Sequence, residues 1–229
     1  MRRFREILGT TAGWRTLPLG KGTPLQYFIQ RFGALLGAIS VIGILVITMI
    51  EGEPPDVSEK TAEEILAHWV GQGNGASFTV WLSVLIGLLL LFWGLWANSA
   101  LRDRGATLLA PAAAVGTIFI AVGIGVDAAS RVALLEAAER MPLESVVAVS
   151  AILQYLWMPF LFGAFLITIS VSATAKQTGL IPSWLAWVGY ATALILVIPH
   201  WVSFLGFMVF IPWMIITGIS MFRKAGAAT

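Results

Sequence analysis

The chain contains no cysteine, and only 11% of its 229 residues are charged. The absence of cysteine excludes disulfides, a thiolate nucleophile and every cysteine-based metal site. Soluble domains have about 25% charged residues, whereas 58% of this chain is hydrophobic. A soluble domain of this length cannot bury so much apolar surface. The composition therefore indicates a protein whose solvent is the lipid bilayer.

Sequence patterns for catalysis and nucleotide binding are also missing. The chain has no HExxH, no GxSxG and no glycine-rich phosphate loop followed by a helix. Its basic residues lack the interleaved aromatic residues that are typical of nucleic-acid binding. No lysine lies within an apolar block, which excludes a buried amine catalyst. We therefore expect no cofactor, no metal, no catalytic residue and no nucleic-acid partner.

What the chain does have is a series of long apolar blocks. A helix needs about 20 apolar residues to cross about 30 Å of hydrocarbon. The blocks predict an all-α polytopic membrane protein, a six-transmembrane-helix bundle with short extracytoplasmic amphipathic helices. The predicted spans are about 32–50, 77–97, 107–127, 146–172, 180–198 and 202–222. The last two are separated at Pro199-His200, which predicts a tight turn because proline disfavours helix at the preceding residue.

Basic residues divide unequally between the two sides of this bundle. One side carries 11 of the 14 lysines and arginines, and the other carries only Lys60, Arg131 and Arg140. The positive-inside rule makes the richer side cytoplasmic, with an N-terminal segment 1–31 and a tail 223–229. Ten of the 12 carboxylates lie on the opposite side. The pattern predicts a multi-pass protein of the bacterial cytoplasmic membrane with both termini in the cytoplasm.

Tryptophans support the same topology, because their amphipathic rings favour the headgroup layers. The predicted outer interface has Trp69, Trp81 and Trp201, and the inner one has Trp93, Trp96, Trp184 and Trp187. Two tryptophans, Trp157 and Trp213, fall near the predicted middle of the membrane.

The first outer loop predicts a short amphipathic helix over about 59–70. Thr61 and Glu64 have the spacing of a capping box, and Ile65 and Trp69 contribute to an apolar face. We expect this helix to lie on the bundle or on the outer leaflet. It would serve either as a solvated cap or as a lid over an external site.

The second outer loop, 128–145, predicts another short surface helix after a third span that ends at Asp127. Asp127 and Arg131 are four residues apart, a spacing that allows a charge pair on one helix face. Asp127 is also the acidic residue closest to a span interior. It is either an interfacial charge at a helix end or, with Gln154 and His200, part of an outer-face polar site.

Polar and proline residues single out two later blocks. Gln154 lies within the fourth predicted span and needs a hydrogen-bond partner there. Trp157 and Pro159 follow it, and Pro212 and Trp213 occupy what we expect to be a matching depth in the sixth span. Proline removes a backbone hydrogen bond and kinks a helix. The two kinks predict either ordinary packing or the walls of an apolar cavity suited to a lipid-like ligand.

Three segments resemble a diverse family of uncharacterised bacterial six-span integral membrane proteins, catalogued as a domain of unknown function. They are TAEEILAHW at 61–69, TGLIPSWLAWVGY at 178–190 and GFMVFIPWMIITGISMFRK at 206–224. The resemblance covers about residues 30–224. It implies the same six-span plan and assigns no functional residue.

Together these features favour a non-enzymatic membrane protein that acts by binding or assembly within the membrane. Its expected partners are the lipid bilayer and either other membrane proteins or a second copy of this chain. The alternatives are a small transporter or lipid-handling protein with a midplane apolar cavity, and a membrane enzyme with an outer-face polar site.

Overall fold

The computed structural model describes residues 24–72, 75–198 and 201–226, and within these ranges the chain is helical with no strand. The helices in chain order are α1 (Pro24–Glu51), α2 (Ala62–Gly71), α3 (Gly75–Arg102), α4 (Leu109–Ala137), α5 (Leu143–Tyr155), α6 (Trp157–Thr178), α7 (Ser183–Leu196) and α8 (Trp201–Gly226), with a 3-10 turn at Ala138–Arg140. Most of the predicted N-terminal segment, the predicted turn at Pro199-His200 and the last three residues lie outside the described residues.

Six of these helices pack as a closed ring in the order α1, α3, α4, α6, α7, α8 and back to α1. Neighbouring helices run in opposite directions. Between α1 and α3, Gly33 packs on Trp96 and Gly43 on Ile86. Further round the ring, Gly94 meets Thr117, Gly87 meets Ile124, Gly116 meets Gly163, Gly123 meets Phe160, and Ser172 meets Gly189. Glycine at these seams lets the helices approach closely. The ring closes between α1 and α8, where the aromatic ring centroids of Phe32 and Phe222 lie 5.6 Å apart.

Five helical segments are long and apolar enough to cross a membrane: Phe32–Glu51, Phe78–Arg102, Leu109–Arg140, Leu143–Thr178 and Val202–Lys224. The predicted fifth span corresponds to α7, which has 14 residues and is shorter than the others. At 1.5 Å per residue α7 extends for about 21 Å, less than the hydrocarbon thickness.

The segment that contains α7 nevertheless extends along α8. At one end of the ring, the ammonium group of Lys224 donates a hydrogen bond to the carbonyl of Gly179, just before α7. Near the other end, Gly206 packs on Leu196, the last residue of α7. The segment 179–196 therefore extends from one end of the ring towards the other.

Charge distinguishes these two ends. The end where α1 finishes carries ten carboxylates and only three cations, Lys60, Arg131 and Arg140, and we call it the acidic end. The end where α3 finishes and α7 begins is the basic end; its described charges are Arg102, Asp103, Arg104, Lys176, Arg223 and Lys224. The division of charge predicted along the chain is therefore also a division in space.

The fourth apolar block is broken into α5 and α6 at Leu156. Pro159 lies in the first turn of α6 and has no N–H to donate to the carbonyl of Tyr155, so one helical hydrogen bond is lost at the break. The predicted interruption near Trp157 is confirmed, whereas α8 runs through Pro212 as one continuous helix. α6 alone has 22 residues, and α5 packs mainly with α2.

The prediction that the third helix ends at Asp127 is wrong. α4 continues for 29 residues, from Leu109 to Ala137, so the separate helix expected over 128–145 is not formed. The extension forms because Leu134 and Ala138 are buried against α2 and α5. A polar residue does not end a helix when the next turns still have apolar surface to bury.

Candidate functional site at the acidic end

The helix predicted over 59–70 is confirmed as α2, and it begins with the predicted capping box. The backbone N–H of Glu64 donates to the hydroxyl of Thr61 at 3.3 Å, and the Thr61 N–H donates to the Glu64 carboxylate at 2.8 Å. These two hydrogen bonds with Thr61 hold the pKa of Glu64 below its ordinary value. Two otherwise unpaired donors at the helix start are thereby satisfied.

α2 is held at the acidic end by a second hydrophobic core, separate from the core of the ring. Ile65 and Trp69 are each 1% exposed and pack with Leu134, Val146 and other buried residues of α4 and α5. Within this core the Trp69 indole N–H donates to the Ser150 hydroxyl at 2.9 Å. A buried N–H without an acceptor is costly, so this bond fixes the position of α2 on α5. We call α2 together with the preceding loop the cap.

Gln154 attaches the loop of the cap to α5. Its side-chain amide donates to the carbonyl of Pro55 at 3.3 Å. The next residue, Asp56, accepts from the backbone and hydroxyl of Ser58 at 2.8 and 2.7 Å. These bonds from Ser58, followed by Gln154, lower the pKa of Asp56. The partner that Gln154 requires is therefore the first loop, and no residue of a midplane cavity.

Asp127 and Arg131 form the predicted pair, with Arg131 Nε 2.9 Å from Asp127 Oδ2. The same nitrogen lies 3.4 Å from Oε2 of Glu51, at the end of α1. The side chains of Arg131 and Glu51 are only 11% and 8% exposed. One guanidinium thus ties two carboxylates on two helices, and Oε1 of Glu51 is buried without a hydrogen-bond partner among the described residues. The spacing of residues in the sequence did not predict that Glu51 contacts Arg131.

His68 lies on α2 beside this cluster. Burial first, then the positive charges of Lys60 and Arg131, lowers the pKa of His68. Its Nε2 lies 2.8 Å from the side-chain nitrogen of Gln72. That contact is a hydrogen bond only while Nε2 is unprotonated, because the amide nitrogen can only donate. The local geometry and the lowered pKa both favour neutral His68.

An open groove of about 290 Å³ lies where the C-terminal turn of α2 meets the end of α4. Its lining residues are Val70, Leu134, Leu135, Glu136, Ala138, Glu139 and Arg140. Arg140 donates to the backbone carbonyl of Glu136 at 2.6 Å. No described cation forms a salt bridge with the Glu136 or Glu139 carboxylate.

The interior of the ring is filled by aromatic side chains. Phe160 of α6 contacts Phe207 of α8 at 6.4 Å between ring centroids, and the contacts continue through Phe210 to Trp213. The cavity beside these rings has a volume of about 10 Å³. That is about the minimum for one water molecule and far below the size of a ligand site.

The predicted cavity residues do not face one another. Trp213 is 1% exposed and donates to the carbonyl of Leu185, whereas Trp157 is 44% exposed on the outside of the ring. Pro159 and Pro212 also lie at different depths. Pro159 precedes Phe160 by one residue and Pro212 follows Phe207 by five. Because Phe160 meets Phe207 and both helices run in the same direction, the prolines are offset by roughly 9 Å along the bundle. The expectation of matching depth is corrected accordingly.

The proposed outer-face residues are only partly brought together. Asp127 and Gln154 both lie towards the acidic end, but each is bonded to a different partner, and His200 lies outside the described residues. Within the described ranges, no three histidine, aspartate or glutamate side chains are grouped closely enough to hold a metal ion. Sequence reasoning missed Ser150 and Glu51, whose partners are distant in the chain.

Comparison with known proteins adds one partial similarity. A segment of 93 residues, 40% of this chain, is 31% identical to part of the DNA translocase FtsK of Corynebacterium glutamicum and spans 10% of that protein. No protein-family model matches the chain. No solved structure matches it. Because the similarity covers only a tenth of the translocase, it assigns no activity to this chain. The five long apolar helices are compatible with an integral membrane protein.

Proposed function

We propose that this chain is a six-span integral membrane protein of the bacterial cytoplasmic membrane, with both termini in the cytoplasm. The basic end would face the cytoplasm and the acidic end with its cap would face outward, as the positive-inside rule requires. The antiparallel ring supports an even number of crossings. The contacts of Lys224 with Gly179 at one end and of Gly206 with Leu196 near the other support a crossing of the α7 segment alongside α8.

The absence of cysteine makes this topology directly testable. Single substitutions Glu139→Cys at the acidic end and Arg104→Cys at the basic end place one thiol in exposed positions. In intact spheroplasts, a membrane-impermeant maleimide is expected to label only the Glu139→Cys variant. The Arg104→Cys variant should react only after the membrane is permeabilised. Labelling of both variants, or of Arg104→Cys alone, in intact spheroplasts contradicts the orientation.

Within that topology, the protein acts by binding other membrane components rather than by transport or catalysis. The observation that carries this proposal is the packed interior of the ring, where aromatic rings leave a volume of about 10 Å³. A transporter needs a binding site between its helices, commonly near the midplane. The polar groups at the acidic end are used to hold the cap: Trp69 on Ser150 and Gln154 on Pro55.

The cap is the surface that we assign to partner binding. It has its own hydrophobic core, so it presents a fixed shape above the ring. The cap itself is acidic, with five carboxylates against Lys60. The adjacent groove adds Glu136 and Glu139, which form no salt bridge with a described cation. Complementary charge gives specificity and speeds encounter, so the expected partner is a membrane protein with a basic extracytoplasmic surface.

Site-specific photocrosslinking in living cells tests this assignment. A photoreactive amino acid replaces Val70 in the groove or, as a matched apolar control, Phe119 on the outer face of α4; both side chains are about half exposed. A discrete adduct from position 70 that disappears in the Glu136→Gln, Glu139→Gln background supports the proposal. Adducts only from position 119 would place binding on the outer face of α4 and overturn the assignment to the cap. Solute flux through proteoliposomes of the pure protein would establish transport and overturn the proposal that the protein acts by binding.

A further inference from the structure

The basic end contains a corner whose positive charge is not neutralised. Lys176 lies in the last turn of α6, and Lys224 lies near the end of α8. The Lys224 ammonium donates to the carbonyl of Gly179, and the Lys176 ammonium lies 4.2 Å from the centre of the Trp187 ring. Neither partner carries a formal negative charge. We call Lys176, Gly179, Trp184, Trp187 and Lys224 the basic corner.

No carboxylate of the described chain is placed to neutralise this corner. The described salt bridges all involve Arg131 at the acidic end. The only described carboxylate at the basic end is Asp103, in the turn between α3 and α4, and it forms no salt bridge. Within the described ranges, the two ammonium groups therefore lack an anionic partner.

The same corner exposes two large aromatic side chains towards the outside of the ring. Trp184 and Trp187 are 58% and 59% exposed, and they follow directly after the Gly179 turn at the start of α7. Tryptophan favours the layer where headgroups meet acyl chains. The corner therefore offers cations for a phosphate beside indole rings for the glycerol backbone and upper acyl chain of the same molecule.

The backbone around the corner is set by its sequence. Gly179 adopts a φ of +65°, which ends α6 in a left-handed cap and turns the chain sharply into α7. The turn places the α6 terminus, with Lys176, beside the α7 start, with Trp184 and Trp187. Lys224 then reaches across from α8 to the same turn. Three helix ends thus converge on one small patch at the edge of the bundle.

We propose that the basic corner is a binding site for an anionic glycerophospholipid, whose phosphate lies between Lys176 and Lys224 and whose upper acyl region packs on Trp184 and Trp187. A lipid is favoured over free phosphate because the indole rings are exposed on the side of the bundle that faces the membrane. Basic pockets between helices at the cytoplasmic side are a known form of lipid headgroup recognition. The inference is independent of the partner assigned to the cap.

Native mass spectrometry after delipidation tests the site. The full chain is titrated with phosphatidylglycerol or phosphatidylcholine, and affinity is read from the bound fractions. Lys176→Gln with Lys224→Gln is compared with Arg102→Gln and Arg104→Gln, which remove the same charge from another turn at the same end. Each lysine lost is expected to weaken phosphatidylglycerol binding about fivefold, whereas the arginine pair changes it little.

Two further measurements distinguish loss of the lipid site from poor folding and from simple phosphate binding. Lys176→Arg with Lys224→Arg keeps the charge and should retain most of the phosphatidylglycerol binding, even if the glutamine pair folds poorly. Inorganic phosphate added in excess should not displace the lipid if the indole contacts contribute as proposed. Equal weakening by the lysine and arginine pairs overturns the site. Displacement by phosphate, or equal affinity for phosphatidylcholine, also overturns it.

Discussion

The indole N–H of Trp69 donates a 2.9 Å hydrogen bond to the hydroxyl of Ser150, 81 residues further along the chain. This buried contact joins the cap helix α2 to α5 and lies within the second hydrophobic core. It makes the cap part of the folded protein rather than a loose loop on the outer leaflet. Substitution of Trp69 and substitution of Ser150 are therefore expected to reduce stability by different amounts.

Trp69→Ala should destabilise the docking of the cap by about 3–5 kcal/mol, because the substitution removes a fully buried aromatic side chain. Ser150→Ala should cost less, about 1–3 kcal/mol, since it only leaves the indole N–H without an acceptor. Hydrogen exchange of α2 amides in nanodiscs measures both effects. Trp81→Ala is the matched control, because Trp81 is 73% exposed. Equal exchange in the Trp69 and Trp81 variants contradicts the docking.

The Glu51–Arg131–Asp127 cluster should tolerate loss of one carboxylate better than loss of its cation. Arg131→Met leaves two carboxylates close together, one of them 8% exposed, and is expected to cost about 3–5 kcal/mol. Glu51→Gln retains the Arg131–Asp127 pair and should cost clearly less. Unfolding in mixed detergent micelles ranks the variants. The reverse order shows that Glu51 carries the stabilising interaction.

Gly189→Ala should disturb the packing of α7. An added Cβ would lie 1.9 Å from the Ser172 hydroxyl and 2.9 Å from the Trp213 indole nitrogen, so the hydroxyl must rotate and the buried indole must move. We expect destabilisation of about 1–3 kcal/mol by thermal unfolding in detergent. The control is Gly125→Ala in α4, where no atom lies within 4 Å of the added carbon. A Gly189 variant as stable as the Gly125 variant argues against the close approach.

Stability of the cap should fall with acidification because of His68. Its pKa in the folded protein lies below the ordinary value of 6.5, so the unfolded chain binds more protons between the two values. The cap is then most stable above pH 6.5 and loses stability as the pH falls from 6.5 through the lowered pKa. Protonation also removes the acceptor for Gln72.

Thermal unfolding of the wild type and the His68→Gln variant across this range measures the effect as a difference between the two proteins. The Glu64 capping box serves as an internal reference. The folded pKa of Glu64 lies below its ordinary value of 4.5, so its stabilising contribution is intact above pH 4.5 and is lost as the pH falls from 4.5 through that lowered value. A His68→Gln variant with the same pH dependence as the wild type removes His68 as the cause.

The elements that were predicted correctly depend on short-range patterns. The Thr61–Glu64 capping box and the Asp127–Arg131 pair join residues three and four positions apart, so the helix period alone brings them together. The break near Pro159 follows from the missing N–H of proline. The apolar blocks likewise indicate helices of membrane-crossing length, because the hydrocarbon thickness sets that length.

The elements that were missed depend on contacts across the chain. α4 runs past Asp127 because Leu134 and Ala138 find apolar partners on α2 and α5. Near Pro212 the sequence left ordinary packing and an apolar cavity open as alternatives, since nothing local to α8 reveals that Phe160 lies against Phe207. Periodicity shows which residues are apolar but does not show which helix covers them.

By itself, the sequence determined the helical class, the separation of charge and the presence of apolar helices long enough to cross a bilayer, because hydrophobic length and charge can be read along the chain. Only the tertiary structure decided that the ring is packed shut, that Gln154 holds a loop, and that Glu51 joins Arg131. Those results require the relative positions of helices that are far apart in the chain. They arise from how side chains fill the space between helices, which no local pattern specifies.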